Sequence, residues 1–350
     1  MPYYAGLRRI TDKVMRKRTV AGLKALHAGF ADPQSGIPSK TANDTLLLAT
    51  WNIREFDSGK FGFREEESYY YIAEIINRFD LVAVQEVRDS LYPLQRLKRL
   101  LGDWWDFLVT DVTLGKSGNS ERMAFLYDRR KVDFTGLAAE LVLPKEIVPD
   151  DGPLQFARSP YIASFRAGWA YFTLLTVHIY YGKSIKDDPR RLEEITRLGK
   201  TVAKNARLFS GARVLGPGKE MPERDNLILL GDFNIFNRND VTMEALTASS
   251  FIVPEELQTI PGSNVAKDKH YDQIAYFKKL ESLRSTGRAG VFDFYDHVYR
   301  LDGAAAYEAL RKDKPGRSFK DWRTYRMSDH LPMWLEFGID DSEAYLDKIG

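Results

Sequence analysis

A set of polar residues in this chain sits where apolar runs end or are about to begin: Asn52, Glu86, Glu121, His178, Asp232, Asn234, Asp272, Asp329 and His330. Singly, each is an ordinary turn, cap or surface hydrogen-bonding group. Together they supply carboxylates, two imidazoles and two amides, with no thiol. An oxygen-rich donor set of that kind suits a hard divalent cation such as Mg²⁺ better than Zn²⁺. Two histidines with acidic partners available suit general acid and base work near neutral pH. Arg158, with Arg54 and Arg88, offers planar forks for a phosphate. Cation, acid, base and arginine together describe hydrolysis of a phosphate ester.

The elements that must position these groups are short buried strands. In LILLGDFNIFN, residues 227–237, four aliphatic residues read as a strand buried on both faces, and Asp232 and Asn234 follow the turn at Gly231. Residues 46–50 end in the same way at Asn52, residues 81–84 at Glu86 and residues 171–177 at His178. Further strands are expected at 123–127, 132–134, 161–165, 271–277 and 331–337. Helical spacing runs through 66–79, 91–101 and 187–209, the last opened by Asp188 and Pro189 as cap and first turn. Loops are expected around Gly115 and Gly118 and over 211–225. Strands cluster and helices intervene at intervals, which suits two packed sheets with helices outside.

A chain of 350 residues with 44% apolar and 13% aromatic residues has enough core for one large domain or two average ones. Its net charge of +2 gives no chain-wide basic field, so any anion site must be local. The absence of cysteine excludes disulfides, thiolate metal sites and cysteine nucleophiles. No stretch approaches the roughly 18 apolar residues of a membrane helix, and no signal core is evident, so a cytoplasmic protein is expected.

Residues 1–44 read as a basic helical extension and linker, with eight Lys or Arg against three Asp or Glu. Such a segment is either an arm for nucleic acid or anionic lipid, or helices packed on the body with a solvated basic face.

The segments TWNI, VQEV, GDFN and SDHLP, in this order, resemble the endonuclease/exonuclease/phosphatase superfamily. QEVRDS at 85–90, SER before AFLYD, FARSP at 156–160, YDQI at 271–274 and FDF at 292–294 are similar to its pancreatic-type deoxyribonuclease branch. The resemblance implies a four-layered α/β sandwich, two mixed β-sheets flanked by helices, over 45–340, with a tail at 341–350. It implies a metal site of Glu86, Asn52 and Asp329 for Mg²⁺, with Mn²⁺ or Ca²⁺ as alternatives. Asp232 and Asn234 would orient water or hold phosphate oxygens. His178 with Glu121, and His330 with Asp272, would flank the scissile phosphate, and Arg158 and Arg88 would bind the substrate. Where that branch has a minor-groove tyrosine, this chain has Asn119, which weakens the case for the same duplex docking.

The expected function is therefore Mg²⁺-dependent phosphodiester hydrolysis with DNA as substrate, in the manner of an endonuclease. A phosphatase or phosphodiesterase on a small-molecule or lipid phosphoester is the alternative, and a non-catalytic scaffold a third. Residues 299–326 exceed what the resemblance needs. Arg300, Arg311, Lys312, Lys314, Arg317, Lys320, Arg323 and Arg326 suggest a cationic lip there, running into Asp329 and His330.

Overall fold

Alternation of side chains along the first long strand sets the layering. In β1 (Thr45–Phe56), Leu46 and Leu48 face one core while Leu47, Ala49, Trp51 and Ile53 face another. A strand with both faces apolar must be covered on both. The computed structural model describes residues 2–34, 36–56, 58–113, 119–143, 155–209, 225–278, 280, 282–311 and 317–350. Gly115, Gly118, the loop at 211–224, Lys312 and Lys314 lie outside the described residues.

The remaining strands are β2 (Leu81–Val87), β3 (Trp105–Val109), β4 (Arg122–Asp128), β5 (Asp133–Glu140), β6 (Tyr161–Ala167), β7 (Ala170–His178), β8 (Asp225–Asp232), β9 (Phe251–Ile252), β10 (Asp272–Phe277), β11 (Arg284–Val291) and β12 (Met333–Gly338). They form two six-stranded sheets, ordered β11-β12-β1-β2-β4-β3 and β5-β6-β7-β8-β10-β9. Each sheet has one parallel pair at its centre, β1 with β2 and β7 with β8, and antiparallel neighbours on either side. The C-terminal ends of the parallel strands and the N-terminal ends of their antiparallel neighbours therefore meet at one edge of the sandwich.

Helices cover the outer faces. α1 (Lys13–Phe30), α2 (Glu66–Ile76) and α3 (Tyr92–Leu101) join the first sheet's outer core. α4 (Pro189–Phe209) lays Ile195, Leu198 and Val202 on the second sheet, where α5 (Val241–Thr247) joins it. Asp12 and Asp188 accept backbone N–H groups at the starts of α1 and α4. The expected four-layered sandwich of two mixed sheets is what the structure has.

Of the two readings of the basic segment before residue 45, the structure has the packed helix: Leu23, Leu26 and Phe30 are buried, and Arg18 donates to both oxygens of buried Glu67 at 2.8 and 2.6 Å. Other local expectations change. The tail at 341–350 holds the helix Ser342–Ile349, whose Tyr345 ring lies 5.4 Å from that of Trp169. β3, β9 and β11 were not expected, nor were α5 and the single turn α6 (Glu255–Gln258). In 299–326, the 3-10 helix Leu301–Tyr307 leads into α7 (Glu308–Arg311), and α8 (Phe319–Thr324) follows. The cationic lip is smaller than its composition suggests. Arg323 and Arg326 are buried, donating to the carbonyls of Tyr299, Gly62 and Phe63, because their guanidiniums lie over Tyr295 and Trp322. Arg300 is paired with Asp302.

Candidate active site

One rung of the second sheet carries three of the expected residues side by side. Register pairs His178 with Asp232, and Asp232 with Asp272. Gly231, one rung earlier, makes the approach of β7 and β8 possible. At its φ of 134°, a Cβ would sit 2.2 Å from the Val177 carbonyl oxygen. Across the seam, the first sheet supplies Asn52 near the end of β1 and Glu86 near the end of β2. Its pairing slips between Val84 and Val87, and Glu86 has a φ of 60°. That irregularity re-aims Glu86, which accepts from the Asn52 amide at 2.9 Å and from the Glu55 N–H at 2.8 Å. Asn234, Asn119 and Glu55 also hold positive φ, so left-handed residues gather around the site.

The two histidines are held alike. His330 Nδ1 is hydrogen-bonded to Asp272 Oδ2 at 2.7 Å. His178 Nδ1 lies 2.8 Å from Glu121 Oε2, but off the line of an aligned hydrogen bond. The opposite nitrogens converge: His178 Nε2 is 3.5 Å, and His330 Nε2 3.7 Å, from the same oxygen, Asp232 Oδ2. That oxygen accepts from Asn52 Nδ2 at 2.9 Å, and Asp232 Oδ1 accepts from the Asn234 N–H at 2.8 Å. Asn234 spends its own amide N–H on the Ile179 carbonyl.

Burial and the Arg158 charge push His178 towards the neutral form, but the Glu121 and Asp232 carboxylates outweigh them and raise its pKa. Burial opposes charge on His330 too, and Asp272 and Asp232 overcome it, so its pKa stands well above the ordinary value. Burial resists ionisation of Glu121, yet His178 and Arg158 hold it below the usual carboxylate range. Burial, with the Glu121 charge adding to it, raises Glu86.

The arginines do not stand as expected. Arg158, expected to bind a phosphate, turns its fork to Glu121 in this structure, Nε to Oε2 at 2.5 Å and Nη2 to Oε1 at 3.2 Å. Arg88 lies 3.5 Å from both Glu55 and Glu121. A buried carboxylate needs cationic partners, and Glu121 takes these. Arg54 lies over the Tyr325 ring and pairs with Asp329 at 3.4 Å. Asn119 turns inward to donate to Glu121 at 2.7 Å rather than reaching outward.

The supporting groups were not evident in the sequence. Ser328 donates to the Asn52 carbonyl at 2.6 Å and accepts from the His330 N–H at 3.0 Å. Trp51 Nε1 donates to the His330 carbonyl, and the Tyr271 ring stacks on His330. Ser263 accepts from the Asp272 N–H at 3.0 Å. A serine two residues before a histidine is the only local hint of these.

A divalent cation fits at Glu86. No Lys or Arg among the described residues pairs with this half-buried carboxylate, and the neighbouring Asn52 Oδ1 is buried without a hydrogen-bond partner. Asp329 is half-exposed at the rim, beside Arg54. Among the described residues no group of three or more His, Asp or Glu encloses an ion.

No family model matches the sequence. A deoxyribonuclease from Thioalkalivibrio sp. (strain K90mix) is 27% identical over 306 residues, covering 86% of this chain and 73% of that protein. Deoxyribonuclease-1 of Bos taurus is 34% identical over 93 residues, 25% of this chain and 32% of that protein. An endonuclease/exonuclease/phosphatase family protein from Bacteroides thetaiotaomicron superposes with a TM-score of 0.53 at 18% identity, over 85% of this chain and 98% of that one. A conserved protein of unknown function from Enterococcus faecalis V583 gives 0.55 at 17%, over 84% and 100%. The chain thus has the fold of the endonuclease/exonuclease/phosphatase proteins, with deoxyribonucleases among its curated relatives.

Proposed function

We propose that the chain is a divalent-cation-dependent phosphodiester hydrolase that cleaves DNA. The observation that carries this reading is the convergence of two carboxylate-held imidazoles on Asp232 Oδ2, at 3.5 and 3.7 Å. Each Nδ1 faces its carboxylate, which fixes the ring and stabilises the imidazolium. Each Nε2 faces the same space, too far from Asp232 for a direct hydrogen bond and close enough to share a phosphate's attacking and leaving oxygens.

One imidazole takes a proton from water as the water oxygen bonds to phosphorus. The other gives a proton to the ester oxygen as the phosphorus–oxygen bond breaks, and solvent restores both. Asp232, fixed by Asn52 and the Asn234 N–H, orients the water and balances the second imidazolium. A cation held by Glu86 and Asn52, with Asp329 at the rim, would offset the phosphate charge and polarise its oxygens. Arg158 and Arg88 act through Glu121, as positioning residues for His178.

The test is plasmid nicking beside bis(p-nitrophenyl) phosphate and a phosphomonoester, each with and without Mg²⁺. Cation-dependent cleavage of plasmid and diester, with Glu86→Gln weakening cation binding by calorimetry, is expected. Turnover of the monoester alone would overturn the reading in favour of a phosphatase.

A further inference from the structure

Residues 4–30 hold seven Lys or Arg and one acidic residue, a net +6 in a chain of net +2, so the rest of the protein is net −4. The structure shows which of these charges are engaged. Arg18 is bound to Glu67. Arg8, Arg9, Lys13, Arg16, Lys17 and Lys24 have no acidic partner among the described residues. In α1, Lys13, Lys17, Val20 and Lys24 are exposed and recur at intervals of three and four residues, forming one stripe. Arg16 flanks the stripe, and Arg8 and Arg9 precede it.

The stripe is also directed. Tyr71 donates to the Arg18 carbonyl and His27 meets Glu74, so contacts climb α1 and α2 together and the helices run parallel. α2 leads by a short turn into β2, so its first residues lie at the edge where β2 ends in Glu86. The first turns of α1, with Lys13 and Lys17, therefore face that same edge. Arg18 also donates to the Ala306 carbonyl, tying α1 to the segment that runs on to Asp329 and His330.

We infer that the stripe of Lys13, Lys17 and Lys24 on α1 binds the phosphate backbone of a nucleic acid that extends beyond the catalytic seam. This rests on the proposed function and sharpens it: the substrate is a polymer rather than a small phosphoester. From Lys13 to Lys24 the helix spans about 16 Å, or roughly five phosphates of one strand. Unpaired cations on an otherwise acidic protein concentrate a polyanion there. An anionic membrane is disfavoured because the apolar side of α1, with Leu23, Leu26 and Phe30, is buried against the body. Only isolated Val14 and Val20 remain exposed beside the cations.

The experiment uses the full chain with Lys13, Lys17 and Lys24 all changed to Gln, which keeps helix propensity. Binding of a labelled 30-base-pair duplex is measured by fluorescence anisotropy without Mg²⁺ across a salt series, and vesicles containing phosphatidylserine are run in parallel. The slope of log affinity against log salt should flatten by about 0.9 for each lost contact, so by about 2 to 3. Affinity at low salt should fall at least tenfold. An unchanged slope overturns the inference, as does a loss confined to vesicle binding. Turnover of bis(p-nitrophenyl) phosphate should be equal in wild type and variant. Its absence in wild type would sink the proposed chemistry while leaving the anisotropy result to decide the stripe.

Discussion

Replacing Glu194 by Gln should stabilise the protein strongly at pH 8 and weakly at pH 5. Glu194 lies in α4, 6% exposed, and accepts from the Ala157 N–H at 3.3 Å. Burial pushes its pKa up to about 7, against the pull of backbone donors and of Arg158 and Arg190. A free glutamate titrates at 4.5. Between those values the folded state holds a proton that the unfolded state has released, so stability falls as pH rises from about 4.5 to about 7 and then levels off. That difference amounts to about 3 kcal/mol, nearly all of it expressed by pH 8 and under about 1 kcal/mol at pH 5. Gln keeps the acceptor for Ala157 and removes the charge. For a chain of this size 3 kcal/mol raises Tm by about 4 °C. Thermal unfolding of both proteins at pH 5 and pH 8 is the assay. A gain of equal size at both pH values, or none at pH 8, refutes the reasoning. The residue also bears on the site, since Ala157 precedes Arg158, which grips Glu121.

His178→Ala and His330→Ala should each lower DNA cleavage by about 10²- to 10⁴-fold, measured as single-turnover rate. Their stabilities should differ: His330→Ala strips Asp272 of its imidazole and costs about 3 kcal/mol in urea unfolding, whereas Glu121 keeps Arg158 and Asn119 when His178 is lost. Gly231→Ala should destabilise by at least about 2 kcal/mol through overpacking, because the new methyl meets the Val177 carbonyl; unfolding in urea checks it.

Apolar runs that stop at a polar residue made the strand ends legible in the sequence, because a strand covered on both faces must change character where it leaves the core. The sandwich follows from several such runs. β11 was hidden because its sequence, RSTGRAGV, has no apolar run; it is an edge strand whose order comes from pairing with β12. The helix Ser342–Ile349 has too short an apolar stripe to stand out from a tail. In the site, residue types and their number were readable, but partners were not. Arg158 offers a phosphate fork on paper, and only the fold shows Glu121 filling it. Arg323 and Arg326 read as surface cations because nothing local announces the Tyr295 and Trp322 rings that cover them. Ser328 and Ser263 are short hydroxyls whose roles depend on backbone brought close from far along the chain.

Both imidazole–carboxylate pairs cross from one sheet to the other, and in opposite senses. Glu121 precedes β4 of the first sheet and holds His178 of the second; Asp272 belongs to the second and holds His330, which precedes β12 of the first. Two sheets that had each formed without docking would contain neither pair. A slide by one residue, about 3.3 Å along a strand, would separate both at once. Under the proposed chemistry these four side chains act as an assembly check: an intermediate with every hydrogen-bonded ladder complete would be inert until the two halves lock in one alignment. Such a chain could not hydrolyse a phosphate bond before its fold was finished.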